Sequence, residues 1–126
     1  MQKTDVKIKL ENSTMVAYLS GEIDHHCAAN LRSFLDVKIQ TSHPKLLILD
    51  FANISFMDSS GIGLVMGRYK LMKCIGGTLK IKNPSNQIRK VMTLAGFDRL
   101  SIVEKMKPIK PMKPIKRIRS EYIGKK

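Results

Sequence analysis

The chain has 126 residues, 43% of them hydrophobic and 26% charged, which suits one globular domain and is too short for two. Its apolar runs fall well short of the ~20 residues that span a bilayer, and its start lacks the pattern of a secretory signal, so we expect a cytoplasmic protein with no membrane span. The formal net charge is +13, but residues 105–126 hold nine Lys or Arg and one Glu, so the strong basicity belongs to that segment.

The first half of the chain predicts a hairpin, a helix and a buried strand. Residues 5–10 and 15–20 alternate apolar and polar side chains around an Asn-Ser-Thr turn, which is typical of antiparallel strands. Asp24 precedes apolar residues at helical spacing, where it can cap a helix by accepting from backbone N–H groups, and Gly21 allows the turn before it. The apolar run 45–51 predicts a central strand.

The second half alternates helices and strands. The pattern is helical over residues 60–74 and ends at Gly76-Gly77, and residues 78–82 predict a short strand. A third helix is expected within residues 83–96, beginning at Asn-Pro and ending at Gly, and residues 100–103 predict a last strand. The apolar stripes are expected to bury Ala28, Leu31, Phe34, Leu35, Ile39, Ile62, Val65, Met66, Tyr69, Met72, Ile88, Val91, Met92 and Leu94.

This order of elements predicts an α/β fold. Crossovers between parallel strands give a mixed sheet with helices packed mainly on one face, and residues 1–104 are expected to form this domain. Beyond it, Lys-Pro recurs every three residues between positions 107 and 114, and these prolines exclude a regular helix. We therefore expect residues 105–126 to form a basic, disordered tail.

Residues 56–63 read FMDSSGIG and place two serines where a buried strand gives way to a helix. A nucleotide-binding loop needs more glycines and a Lys-Ser or Lys-Thr pair, which this stretch lacks. A hydrolase nucleophile needs Gly-x-Ser-x-Gly and a base, but position 57 is Met. We therefore expect no catalytic residue and no bound cofactor.

Two interpretations of the serines stay open. Asp58 or a serine can simply cap the helix. Alternatively, a serine is phosphorylated, because a phosphate at a helix N-terminus meets backbone N–H groups and the positive end of the helix dipole. The residues alone do not choose between Ser59 and Ser60, although Ser60 looks more like a cap or first-turn residue.

The cysteines and histidines give no strong sign of a metal site. Cys27 and Cys74 are far apart in sequence and are expected to be reduced. His25, His26 and Cys27 are consecutive at a helix start and point in different directions, so a surface contact is the better interpretation.

The stretch SFMDSSGIGLVMGRYKLMKCIGGTLKI, together with LSGEIDHH, resembles the sporulation type of anti-sigma factor antagonist, within the STAS-domain family. The resemblance covers roughly residues 5–103 and implies a STAS fold. General-stress antagonists of the same family more often carry Asp-Ser-Thr-Gly, so they are the nearest relatives to exclude. The resemblance implies that Ser59 is phosphorylated by the partner anti-sigma factor, which is an ATP-using serine kinase.

The implied role is regulatory and not enzymatic. The unphosphorylated chain binds the kinase and displaces its sigma factor, a PP2C-type phosphatase restores the bare serine, and ATP and magnesium belong to the kinase. The residues implied to contact the partner are Gly21, Glu22, Asp24, Asp58, Ser60, Gly61, Ile62 and Gly63.

Residues 105–126 depart from the family, whose members end in a short helix after the last strand. If this helix is absent, Ile109, Met112 and Ile115 are available to cover the same surface. An alternative function is a nucleic-acid-associated protein that acts through the basic tail, although no interleaved aromatic residues support base stacking. Removing the tail separates the two: only the alternative predicts that the main activity disappears.

Overall fold

The computed structural model describes residues 4–103 of the chain. The tail expected over residues 105–126, and with it the boundary of the predicted domain, lies outside the described residues. The elements in chain order are β1 (Asp5–Glu11), β2 (Thr14–Ile23), α1 (Ala28–Ser42), β3 (Leu46–Met57), α2 (Ser59–Cys74), β4 (Thr78–Lys82), α3 (Asn86–Leu94) and α4 (Phe97–Leu100).

The four strands form one mixed sheet in the order β1-β2-β3-β4. β1 pairs with β2 in antiparallel fashion, and β2, β3 and β4 are parallel to one another. α1 and α2 connect successive parallel strands in the same direction across the sheet, and right-handed crossovers place such helices on one face. This confirms the predicted α/β class.

The hairpin turn is tighter than the Asn-Ser-Thr loop that the sequence predicts. Asn12 and Ser13 alone form it, with φ of 51° and 73°, and Thr14 already pairs with Glu11. Two consecutive residues with positive φ are typical of the turns that match the twist of a hairpin. β2 also continues to Ile23, so Gly21 (φ 97°) lies within the strand, at a register shift, and not in a turn before α1.

The core lies between the sheet and its helices. β3 is an inner strand with a neighbour on each side, and half of its residues are buried, including Leu47, Leu49 and Phe51. The fully buried side chains of largest volume are Phe51, Phe97, Met15, Leu19, Ile23, Leu35, Ile39, Leu47, Leu49, Met72, Leu79 and Ile81.

Several predicted core positions are wrong. Phe34 is 39% exposed and Leu94 is 88% exposed, because each lies beside the buried stripe of its helix, and Ala28 is half-buried. In α2 the stripe is rotated from the predicted one: Leu64 and Arg68 are buried. Its predicted members Val65 and Met72 are buried as expected, whereas Ile62, Met66 and Tyr69 pack against the core only in part.

The C-terminal part of the described chain also differs. Residues 100–103 do not form the predicted strand: α4 ends at Leu100, and a single parallel bridge joins Ile81 to Val103. The backbone N–H of Ile81 donates to the carbonyl of Ile102 at 2.7 Å. Ser101 has a positive φ of 56° and forms a turn, so the chain pairs with β4 only after this residue.

Candidate functional site

The two motifs of the sequence analysis meet at one edge of the sheet. Because β2 and β3 are parallel and paired through Ile23 and Met57, their carboxyl ends lie side by side. The backbone N–H of Asp58 donates to the carbonyl of Ile23 at 3.1 Å, and the hydroxyl of Ser55 donates to the carbonyl of Gly21 at 3.3 Å. The end of β2 from residue 21, the turn that follows it at Asp24, and the residues from Asp58 onward thus form one surface, which we call the switch edge.

Asp58 is the cap of α2. Its backbone is extended and its carboxylate accepts the backbone N–H of Ser60 at 2.8 Å, while its carbonyl accepts that of Gly61 at 2.9 Å. Ser59 is the first helical residue and is exposed, and Ser60 is half-buried. The capping interpretation is therefore correct for Asp58, and it leaves the Ser59 hydroxyl without that role.

The two glycines of residues 56–63, which we call the serine loop, differ in their surroundings. A Cβ on Gly61 would lie 2.1 Å from Cγ and 2.5 Å from Sδ of Met57, so the fold itself requires a residue without a side chain there. A Cβ on Gly63 would meet nothing within 4 Å, and Gly63 is exposed. Room for another protein is thus available at Gly63, whereas internal packing alone explains Gly61. Ile62, between them, is half-buried against the core.

Asp24 does not cap α1 in the predicted way. The helix begins at Ala28 after Cys27, whose side chain makes no capping hydrogen bond. The Asp24 carboxylate instead accepts the backbone N–H groups of His26 at 3.0 Å and Cys27 at 3.2 Å, which fixes the turn before the helix. Desolvation raises the pKa of Asp24, but these N–H groups outweigh it and hold the pKa below its ordinary value, so Asp24 is an anion at neutral pH.

Glu22 is held at the switch edge through its backbone. Its carbonyl lies 3.3 Å from the thiol of Cys27 and also accepts the hydroxyl of Thr4, which is 2.9 Å from the same sulfur. No sequence motif marks Thr4, because its contact is made with a neighbouring strand that lies 18 residues away in the chain. A cavity of about 810 Å³ opens beside these groups and is lined by Thr4, Asp5, Val6, Glu22, Asp24, His26, Cys27, Asn30, Leu31 and Phe34.

His25 and His26 are exposed, with ring centroids 4.0 Å apart. Within residues 4–103, no three His, Cys, Asp or Glu side chains are grouped closely enough to hold a metal ion. Cys27 and Cys74 are free thiols. In the same residues, no helix combines the length and the apolar character needed to cross a membrane.

An ion pair between a buried arginine and a half-buried aspartate joins α1 and α2. Arg68 of α2 is only 6% exposed, and its Nε lies 2.9 Å from a carboxylate oxygen of Asp36 in α1. The two charged groups are in contact, but the N–H of Arg68 Nε does not point at the Asp36 oxygen, so they form an ion pair without a hydrogen bond. Burial lowers the pKa of Arg68, Asp36 raises it and the positive charge of Arg32 lowers it, so that the pKa lies below its ordinary value. The sequence shows both residues but not their pairing, which depends on how the helices pack.

The sequence of the chain is similar to a known domain family and to proteins of known name. A STAS domain model matches residues 5–111. The anti-sigma F factor antagonist of Lysinibacillus sphaericus is 37% identical over 83 residues, which are 66% of this chain and 71% of that protein. The anti-sigma-B factor antagonist of Bacillus subtilis (strain 168) is 32% identical over 92 residues, 73% of this chain and 83% of that protein.

Solved structures resemble the fold. The anti-sigma factor antagonist SpoIIAA in its unphosphorylated form superposes with a TM-score of 0.72 at 30% identity, covering 84% of this chain and 91% of that one. The Bacillus cell fate determinant SpoIIAA in the phosphorylated form gives 0.66 at 30% identity, covering 84% and 95%. Those structures record a phosphorylated and an unphosphorylated state on a fold that this chain shares.

Proposed function

Because the chain belongs to the STAS-domain family of anti-sigma factor antagonists, we propose that it is an anti-anti-sigma factor whose switch is the hydroxyl of Ser59. In the unphosphorylated state it binds an anti-sigma factor through the switch edge. This binding releases the sigma factor that the anti-sigma factor holds. Phosphorylation of Ser59 ends this binding.

The observation that carries the proposal is the arrangement at the start of α2. Asp58 supplies the cap, so Ser59 is exposed in the first helical position and its hydroxyl is not required to hold the helix. A phosphate there lies at the positive end of the helix dipole, which tolerates the modified state. The same position presents the hydroxyl to an approaching enzyme, as a kinase substrate requires.

The phosphate acts locally. It adds about −1.5 to −2 charges to a chain of formal charge +13, and salt screens its field within roughly 8 Å. Asp58 and Asp24 already place carboxylates at the switch edge. A further dianion in a desolvated contact therefore adds repulsion and a desolvation penalty, and each ~1.4 kcal/mol of this lowers the affinity tenfold.

The remaining parts of the proposal concern the partners. The anti-sigma factor is a serine kinase that carries ATP and magnesium itself, and a PP2C-type phosphatase removes the phosphate. This chain is a substrate and a binding protein, with no catalytic residue, metal or cofactor of its own, and it works in the cytoplasm. Gly21, Glu22, Asp24, Asp58, Ser60, Ile62 and Gly63 contribute to the contact, and Gly61 supports it from within.

Binding of Ser59 variants to the anti-sigma factor kinase tests the proposal. We expect Ser59→Ala to bind as well as the wild type and to remain unmodified, because only the hydroxyl is lost. Ser59→Asp is expected to bind about 100-fold more weakly, because its charge mimics the phosphate. Isothermal titration calorimetry with the kinase measures both values, and Ser85→Asp, which places the same charge at the edge of α3, is the control.

Equal affinity of the Ala and Asp variants of Ser59 would contradict the electrostatic switch. An equal loss in the Ser85 control would mean that added charge weakens binding wherever it lies. The alternative of a nucleic-acid-associated protein depends on residues 105–126, which lie outside the described residues, and it stays a prediction of the sequence.

A further inference from the structure

A groove runs between the N-terminal turns of α1 and α2, beside the switch edge. Its volume is about 350 Å³. Three of its lining residues, Ala28, Ala29 and Gly63, have small side chains or none, and a Cβ on Gly63 would meet no atom within 4 Å. The complete lining consists of His25, Ala28, Ala29, Arg32, Ser60, Gly63 and Leu64.

Arg32 is the one arginine, lysine or acidic residue among the residues that line the groove, and it shares its neighbourhood with Asp36 and Arg68. Asp36 is one helical turn from Arg32 on α1, but it lies 2.9 Å from the Nε of the buried Arg68. Within residues 4–103, the Arg32 guanidinium has no carboxylate oxygen within 4.0 Å. Arg32 is exposed and therefore presents an uncompensated cation at the mouth of the groove.

His25, in the turn before α1, adds hydrogen-bonding capacity to the groove lining. It is exposed and lines the groove together with the half-buried Ser60. The nearest carboxylate in the serine loop, that of Asp58, is bonded to the backbone N–H of Ser60 as the helix cap. The groove thus offers a guanidinium and an imidazole beside small residues, a combination that suits a carboxylate side chain.

We propose that the groove between α1 and α2 receives an acidic side chain of the anti-sigma factor, with Arg32 as its principal charged contact. The inference rests on the proposed function and names the chemistry that this part of the partner must present. Gly63 is exposed and has no side chain, so that the partner's side chain can enter.

Charge reversal at Arg32 tests this inference. We expect Arg32→Glu to lower the affinity for the anti-sigma factor kinase by about 10- to 100-fold, and Arg32→Gln by about tenfold, because a desolvated ion pair is lost. The matched control is Lys38→Glu, which makes the same charge change about 9 Å farther along α1 and outside the groove. It is expected to stay within about threefold of the wild type.

A steric variant tests the groove independently of charge. Gly63→Leu is expected to fold, since a Cβ there meets no atom within 4 Å, and to weaken binding at least about tenfold by filling the groove. The salt dependence of binding is expected to become shallower in Arg32→Gln than in the wild type, because an ion pair is screened by salt. Circular dichroism of each variant confirms the fold.

The outcomes separate the two proposals. If the wild type binds the kinase and Arg32→Glu binds within about threefold of it, the groove inference is overturned while the proposed function stands. If Arg32→Glu and Lys38→Glu weaken binding equally, general surface charge is responsible and the inference is likewise overturned. If the wild type neither binds the kinase nor is modified by it, the proposed function fails and the inference with it. A dimer of the chain alone that Arg32→Glu abolishes would assign the groove to a second copy and overturn it.

Discussion

Ser59 and Ser85 lie at the starts of α2 and α3, and they differ in whether their hydroxyl caps the helix. Ser85 precedes α3, and its hydroxyl oxygen accepts the backbone N–H of Ile88 at 3.2 Å, so it is the cap of that helix. Ser59 begins α2 after Asp58, whose carboxylate takes the capping role. Both serines are exposed, but only one is needed by its helix.

The difference indicates how a modifiable hydroxyl can be placed at a helix start. Modification of Ser85 would remove a cap and weaken α3, because its oxygen is already used. At Ser59 the acid that precedes the serine satisfies an N–H group of the helix whether or not the hydroxyl carries a phosphate. The sequence Asp-Ser therefore leaves the serine hydroxyl free of the capping role, as the proposed regulatory role of Ser59 requires.

The largest stability effect is expected at Gly61, the packed glycine of α2. Gly61→Ala places a Cβ against Met57 and also 3.3 Å from the side chain of Ile23, and we expect it to lower the free energy of unfolding by about 1–3 kcal/mol. Gly63→Ala, in open space on the same helix, is expected to raise it by up to about 1 kcal/mol. Urea denaturation followed by circular dichroism measures both, and equal destabilisation would mean that the two glycines are not distinguished by packing.

Replacing each serine by alanine tests whether Ser85 supports its helix and Ser59 does not. Ser85→Ala is expected to lower the free energy of unfolding by about 1 kcal/mol, the usual effect of losing a cap. Ser59→Ala is expected to change it by less than about 0.5 kcal/mol, since no cap is lost. Chemical denaturation of the two variants in parallel gives both values. A larger loss for Ser59→Ala than for Ser85→Ala would show that Ser59 supports its helix after all.

The smallest effect is expected at Asp24, on the neighbouring strand end. Its pKa is depressed in the folded state, so ionised Asp24 stabilises the fold above the ordinary pKa of 3.8, and this contribution disappears as the pH falls through the lower folded value. Asp24→Asn keeps an acceptor for the two N–H groups but removes the charge. We expect the wild type to be slightly more stable than the variant at pH 6 and equal to it at pH 2, as measured by denaturation at each pH. A stability difference between the two proteins that increases as the pH falls would contradict the lowered pKa of Asp24.

Much of the fold could be predicted because local patterns decide it. The limits of β4 agree with the prediction, and the hairpin and the parallel central strand follow from alternation and from a continuous apolar run. The juxtaposition of the Asp24 turn with the serine loop follows from the parallel pairing of β2 and β3. The family pattern added the choice of Ser59 over Ser60, which the residues alone leave open.

Features that depend on packing between helices could not be predicted. The apolar periodicity of α2 fits a stripe through Ile62 and Met66, but the buried face includes Arg68, whose burial is intelligible only with Asp36 beside it. The exposure of Leu94 and the replacement of the last strand by α4 depend on where the chain turns after α3. The groove at Arg32 could not be predicted for the same reason, since the residues that line it come from separate parts of the chain.

Mass spectrometry after incubation with the anti-sigma factor kinase, ATP and magnesium tests the central claim most directly. We expect one phosphate on the wild type, located on Ser59, the same product from Ser60→Ala, and none from Ser59→Ala. A phosphate on Ser60 or on Ser85, or a wild-type chain that stays unmodified by a kinase it binds, would contradict the assignment of the switch to Ser59.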